Sequence, residues 1–367
     1  MDQICIIIPA LEPGTELCGY IEALRAKTAA EVVVVDDGSG YQWRKTFERI
    51  SAIRGCTVLK HETNRGKGRA LKTAFGYVRR EKPEIRGVLC VDCDGQHSAD
   101  DVVRIRRVME QCPGALILGS RDFSGRDVPL RSWFGNRMTS VLFWLFCGKW
   151  IADTQTGFRA FGSQLLDRML QIPGERFEYE TQMLADCIRR GIPIRSEGIR
   201  TIYRDGNEGS HFRPVRDSLS ILRVLAADLI KFSFSSLFCG MLDLSLFWAA
   251  VTLLSRQESF TVFQRIALAT IGARGMSAAA NYLLNRFWVF ERGRQRKRQM
   301  RSLPRYLLLC AATGAVSAGA VAAVCVSTGL AETPAKILCD AVLFFASYRI
   351  QRSWVFAPGG KEGADGS

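Results

Sequence analysis

From Tyr306 to Ala331 the chain runs 26 residues without a charged side chain. As a helix this block rises about 1.5 Å per residue, enough to cross roughly 30 Å of hydrocarbon with some tilt. It does not stand alone. Phe232 to Ser255 carries one charge, Asp243, over 24 residues, and Ile266 to Phe290 is a further apolar block interrupted by Arg274. Ile337 to Phe356 is a weaker fourth. Before Lys231, by contrast, charged residues are spread through the chain. A water-soluble part therefore precedes a membrane part.

An internal repeat supports the weak fourth block. Asn285-Arg286-Phe287-Trp288-Val289-Phe290 returns 66 positions later as Gln351-Arg352-Ser353-Trp354-Val355-Phe356. Each copy ends the second helix of a pair, so both ends lie on one side of the membrane. Arg292, Arg294, Arg296, Lys297, Arg298, Arg301 and Arg305 crowd the link between the second and third helices. The positive-inside rule puts that link, and both termini, in the cytoplasm. The same offset makes Arg274 and Asp340 equivalent and similar in depth. Intramembrane charges face partners or a cavity, so Arg274 is expected to pair with Asp340 or Asp243. Such a pair either lines a path for a lipid phosphate or is purely structural.

In the soluble part, Ile4–Ile8, Glu31–Val35, Thr57–Lys60, Val88–Val91 and Ala115–Gly119 read as strands, with helical segments between them. That alternation, with short links, implies an α/β fold with a doubly wound, mostly parallel sheet. Polar groups gather where strands end. Asp36-Asp37 closes the second, Asp92-Cys93-Asp94-Gly95-Gln96-His97 the fourth, and Ser120-Arg121 the fifth. Open α/β sheets bind ligands at this carboxyl edge. Two carboxylates one residue apart repel each other and invite a hard cation, Mg2+ or Mn2+, which usually also holds substrate phosphates. Several such tips on one edge favour a nucleotide site over chance. Asn64-Arg65-Gly66-Lys67-Gly68 opens a helix; its amides either face an anion or simply start the helix, since P-loop spacing is absent.

The formal charge of +14 calls for anionic partners, and the long apolar blocks favour a lipid surface and phosphorylated substrates over nucleic acid. The twelve cysteines are scattered singly. Cys90 and Cys93 have C-x-x-C spacing, but no second pair or histidine cluster stands at zinc spacing, so structural thiols of a reducing compartment are expected. Met1-Asp2-Gln3 lacks a basic region and Ile4–Ile8 runs into Pro9, unlike a signal peptide.

Taken together, Ile7-Ile8-Pro9-Ala10-Leu11-Glu12, Val35-Asp36-Asp37-Gly38-Ser39, Asn64–Gly68 and Asp92–His97 resemble family 2 glycosyltransferases of the GT-A fold. Gly119-Ser120-Arg121, Asp153-Thr154-Gln155-Thr156-Gly157-Phe158-Arg159 and Phe177-Glu178-Tyr179-Glu180 resemble the polyprenol-phosphate sugar transferases, the dolichol-phosphate mannose synthase type. Cys93 stands where that family usually has a small residue such as alanine. Residues 232–357 resemble the GtrA-like family of four-helix membrane domains, which is associated with polyprenol-linked sugars.

The resemblance implies roles. Pro9, Glu12, Asp36 and Asp37 form the pocket for base and ribose, and Lys67 is a further substrate-binding residue. Asp92 and Asp94 are the acidic pair, and Asp94 and Gln96 hold the metal; whether Asp92 touches the metal or the donor sugar is open. Arg121, Arg131 and Arg204 hold the acceptor phosphate and the donor diphosphate, with Arg137 an alternative to Arg131. A lipid phosphate is already an anion, so it needs alignment and charge screening rather than a strong base. Direct attack inverts the anomeric centre, as the family resemblance also implies.

The short apolar run Val141–Phe146 is either a core helix or an interfacial one, and Trp133, Trp144 and Trp150 tilt it to the interface. Tyr203–Phe212 is a candidate closing loop, and His97 and His211 are candidate phosphate contacts or structural hydrogen-bond formers. The expected organisation is a cytoplasmic transferase domain (1–215), an amphipathic juxtamembrane helix (216–231), four transmembrane helices (232–357) and a tail (358–367). The expected protein is an integral protein of the cytoplasmic membrane using a nucleotide sugar donor and a polyprenyl phosphate acceptor, with self-association open. Two competing readings are a lipid-linked-sugar transporter with a loading domain and a processive polysaccharide synthase; the latter's Q-x-x-R-W type signature is missing.

Overall fold

A computed structural model describes residues 3–123, 130–200, 214–256, 261–290, 302–330 and 332–356. The chain divides after Leu225 into two compact units.

The first unit is built on a seven-stranded sheet. The strands are β1 (Ile4–Ala10), β2 (Glu31–Asp36), β3 (Cys56–Lys60), β4 (Gly87–Cys90), β5 (Leu116–Arg121), β6 (Arg159–Gly162) and β7 (Ile194–Ile199). Their order is β3-β2-β1-β4-β6-β5-β7. All neighbours are parallel except β6, which runs antiparallel to both β4 and β5. The Ile and Val runs of β1 and β2 are buried throughout, as a strand covered on both faces requires. Sequence periodicity marks β1 to β5 but neither β6 nor β7. β6 is four residues long and contains an arginine and a glycine. β7 lies at the sheet edge with Arg195, Ser196 and Glu197 in its middle.

Helices α1 (Glu16–Lys27), α2 (Arg44–Ser51), α3 (Lys67–Glu81) and α4 (Ala99–Gln111) follow β1 to β4 in turn. Leu17, Ile21 and Leu24 of α1 join Ile6, Ile8, Val32 and Val34 in one core. Ser98 caps α4 by accepting the Asp101 N–H, and Asp100 and Asp101 complement the helix dipole. α5 (Leu130–Leu142) continues into a π turn over Phe143–Cys147; α6 (Leu166–Gln171) and α7 (Glu178–Arg190) complete the unit.

The second unit is helical: α8 (Pro214–Leu254, which begins in the first unit), α9 (Val262–Leu284), α10 (Ser302–Thr328) and α11 (Glu332–Ile350). The amphipathic stretch 216–231 is thus continuous with the first apolar block. Leu222–Leu254 and Ser302–Thr328 are long and apolar enough to cross a membrane. Large apolar side chains such as Leu244, Trp248 and Ile271 point away from the helix contacts, as lipid-facing side chains do.

The 66-residue repeat is a structural repeat. α9 and α11 both end in π turns, Asn285–Val289 and Gln351–Val355. Arg286 donates to the Tyr282 hydroxyl at 3.0 Å, and Arg352 donates to the Tyr348 hydroxyl at 2.8 Å. The two copies then meet: Asn285 Nδ2 donates to Gln351 Oε1 at 3.0 Å, and Phe290 stacks on Phe356. Of the two partners expected for Arg274, Asp243 is the one found, with Nε to Oδ2 at 3.5 Å. Ser277 also donates to Asp243, and Ser317 donates to Asp340, each at 3.0 Å. The fully buried Asn285–Gln351 bond should show a coupling of about 0.6 kcal/mol. An Asn285→Ala/Gln351→Ala double-mutant cycle on unfolding in detergent measures it; strict additivity would show that the bond is energetically silent.

Candidate active site

Three strand ends build the site. At the end of β2, Asp36 Oδ1 accepts the Ser39 N–H at 2.8 Å, which fixes the turn through Gly38. Gly38 needs its glycine: φ is +81°, and a Cβ would stand 2.3 Å from the Thr63 backbone. Asp37 is buried and accepts the N–H groups of Arg65 and Gly66 at 3.0 and 2.8 Å. His61 Nδ1 lies 2.7 Å from the same carboxylate, and His61 Nε2 lies 2.9 Å from Thr73 Oγ1. Asp37 therefore clamps the glycine-rich segment that opens α3.

That clamp delivers Lys67, the first residue of α3, to the end of β4. Its Nζ lies 2.7 Å from Asp92 Oδ1 and 3.1 Å from Glu180 Oε1. The second contact is ionic rather than an aligned hydrogen bond. Arg159 on β6 donates to the Glu180 carbonyl from behind. His97 Nε2 stands 3.5 Å from Asp92 Oδ2, an electrostatic contact, and the buried ring packs on Phe158. Burial alone would raise the Asp92 carboxyl, but Lys67, and then His97, hold it well below the usual range. Burial opposes the Lys67 charge, yet Asp92 and Glu180 together raise the ammonium above its ordinary value. Gly157 packs its backbone on this carboxylate; a Cβ there would lie 2.3 Å from Asp92 Oδ2.

Asp94 is the outward member of the acidic pair. Its Oδ1 accepts the Gln96 N–H at 3.0 Å. The Asp94 carboxyl is raised, first by loss of solvent and then by the Asp92 charge, and an adjacent cation would relieve both. The Asp94 carboxylate and the Gln96 carboxamide offer oxygen ligands, which fit Mg2+ or Mn2+. Among the described residues no group of three or more His, Cys, Asp or Glu forms a ready cation cage.

At the end of β5, Arg121 is held by Asp153. Nε to Oδ2 is 2.8 Å and Nη2 to Oδ1 is 3.0 Å, and the Arg121 N–H adds a third bond. Of the remaining expected residues, Pro9 is buried in β1, and exposed Glu12, at φ +50°, donates its N–H to Ser39 Oγ. Arg137 is exposed and lies over the Trp150 ring at 4.7 Å. Arg131 lies on α5, but its side chain is outside the described residues, as are Arg204, His211 and the whole 203–212 loop. The roles of Glu180, Asp153 and Gly157 were hidden inside motifs the sequence displays, and His61 carried no sequence signal.

The sequence matches Glycosyl transferase family 2 over residues 5–170 and the GtrA/DPMS transmembrane domain over residues 231–356. The chain carries a family 2 glycosyltransferase domain joined to a GtrA/DPMS transmembrane domain. It is thus a membrane glycosyltransferase. It is 26% identical over 219 residues to the UDP-N-acetylglucosamine–dolichyl-phosphate N-acetylglucosaminyltransferase of Methanococcus voltae, covering 55% of this chain and 86% of that protein. It is 27% identical over 232 residues to human dolichyl-phosphate beta-glucosyltransferase, covering 56% of this chain and 69% of that protein. Among solved structures, it is similar to glucosyl-3-phosphoglycerate synthase from Mycobacterium tuberculosis in complex with Mn2+, uridine diphosphate and glucosyl-3-phosphoglycerate. The TM-score is 0.44 at 17% identity, over 61% of this chain and 78% of that one.

Lys67→Met takes the nearest cation from Asp92 and Glu180, leaving only the longer contacts to His97 and Arg159, and should cost about 3–5 kcal/mol, read by denaturant unfolding. The pH dependence has a sign on each side. Asp92 is depressed, so its share is present above the ordinary 3.8 and is lost as pH falls through its lower folded value. Lys67 is raised, so its share is present below the ordinary 10.5 and is lost as pH rises through its higher folded value. The Lys67→Met penalty should therefore be flat across the neutral range and shrink towards both extremes. Gly157→Ala should displace Asp92 and depress transfer far more than thermal stability; equal losses in activity and stability would mean a general packing defect.

Proposed function

We propose that this transferase moves a hexose from a UDP- or GDP-linked donor to polyprenyl phosphate on the cytoplasmic face of the cytoplasmic membrane, with inversion at the anomeric carbon. The observation that carries the reading is the division of labour on one sheet edge. Asp92 is fixed through one oxygen by Lys67, Asp94 faces outward beside Gln96, and Arg121 is locked by a buried carboxylate two strands away. An edge that offers both a cation ligand and an anchored arginine suits attack of one phosphate on a sugar carbon as a diphosphate leaves it. Relatives named for transfer to dolichyl phosphate support that acceptor class.

In this reading Pro9, Glu12, Asp36 and Asp37 frame the base and ribose, with Asp37 acting through the Arg65 and Gly66 amides it holds. Asp94 and Gln96 hold the divalent cation, which when bound supplies Lewis-acid stabilisation of the departing diphosphate. Asp92, fixed by Lys67, faces the donor sugar. Arg121, Arg131 and Arg204 grip the phosphates, and Arg137 flanks them. No general base is needed, because the acceptor phosphate is ionised at neutral pH; alignment and charge screening carry the rate. The helix α5 and its π turn bury Phe143 and Phe146 inward and expose Trp133, Phe134, Met138, Val141 and Trp144. That outward stripe suits the bilayer interface, where the acceptor's phosphate lies.

The test uses purified full-length chain, undecaprenyl phosphate and a panel of labelled UDP- and GDP-sugars. One donor should give a lipid-linked, EDTA-sensitive product. Asp94→Ala should lower the rate about 100-fold or more; undiminished transfer would remove the site assignment.

A further inference from the structure

One turn, residues 151–157, is tied to three separate parts of the first unit. Towards β5, Asp153, with 0% exposure, takes the Nε and Nη2 edge of Arg121 and its backbone N–H. The same carboxylate accepts the Gln155 N–H at 3.2 Å, which holds the turn in shape. Towards α5, buried Asn136 donates to the Ala152 carbonyl at 2.6 Å and accepts from the Thr154 N–H and hydroxyl at 3.0 and 3.1 Å. Ser140 adds a bond to the Ile151 carbonyl at 2.7 Å. Thr156 adds a further tie to β5 by donating to the Gly119 carbonyl at 2.6 Å, and towards the end of β4 Gly157 lies against Asp92.

We propose that Asp153 and Asn136 are positioning residues: through this turn they fix the guanidinium of Arg121 in the orientation that receives the acceptor phosphate. A bidentate arginine–carboxylate pair sets the plane of the guanidinium as well as its position. Burying the carboxylate removes water as a competing partner, so the pair holds one geometry. Asn136 holds the turn that carries Asp153, from the inner face of the helix whose outer face bears the exposed aromatic stripe. The acceptor end of the site is thus braced on α5. Asp92 and the donor end are braced on Lys67 and α3.

This inference rests on the reading that Arg121 contacts the acceptor phosphate, so the experiment includes Arg121→Ala. Steady-state kinetics on the full chain vary polyprenyl phosphate and donor separately, with thermal unfolding alongside. Asp153→Asn should raise the acceptor KM about tenfold and leave the donor KM within about twofold. Asn136→Ala should shift the same parameter in the same direction by less, and decides the matter if Asp153→Asn does not fold. Asp153→Glu should recover part of the loss. A merely structural role would lower kcat and stability without separating the two substrates, and that result overturns the proposal. If Arg121→Ala leaves the acceptor KM unchanged, the acceptor reading itself falls. If Arg121→Ala raises it and the two positioning variants do not, only this inference falls.

Discussion

The ammonium of Lys67 is the contact on which the site depends. Asp92 and Glu180 both lie within hydrogen-bonding distance of one ammonium, and carboxylates so placed repel or take up protons unless a cation lies between. Lys67 supplies that cation, and its position is inherited. Asp37 clamps the Arg65 and Gly66 amides, α3 starts there, and Lys67 reaches the end of β4. Arg159, on the one antiparallel strand, steadies Glu180 from the other side. Removing Lys67 from this chain of contacts takes the nearest cation from two carboxylates, which costs more than the pairs themselves contribute.

The same contact separates two neighbouring aspartates chemically. Asp92 is held ionised by a cation of the protein, whereas the Asp94 carboxyl is raised by loss of solvent and then by the Asp92 charge, which Lys67 and His97 offset only in part. One residue of sequence separation and a change in facing direction therefore make one carboxylate a fixed element and leave the other facing outward, where we propose the divalent cation binds. Both ends of the site share this logic: Lys67 fixes Asp92 as Asp153 fixes Arg121, a partner of opposite charge beside each half-buried functional group.

The membrane unit uses a different device. Its two helix pairs carry equivalent residues that meet each other: Asn285 with Gln351, and Phe290 with Phe356. Apolar side chains cannot drive association where the surroundings are also apolar, so polar contacts and ring packing at the helix ends do more of the specifying. Within one pair, Arg274 finds Asp243 on the preceding helix, which neutralises an arginine in the middle of α9.

Much of this was legible in the sequence because it is local or periodic. Unbroken Ile and Val runs marked β1 and β2, acidic residues at run ends marked the site's edge, and length and charge distribution marked the membrane part. The 66-residue repeat was visible as spelling before it became a contact. Tertiary structure alone decided how charges pair. Nothing local tells that Lys67 reaches Asp92, that Asp153 grips Arg121 across 32 positions, or that Arg274 takes Asp243 instead of Asp340. Nor could periodicity place β6, since a four-residue strand bearing a buried arginine has no alternation to read. The sequence determined which residues can carry charge at the strand ends. Only the fold decided which of those charges are spent on one another and which remain for substrate, because pairing is a matter of distance in space.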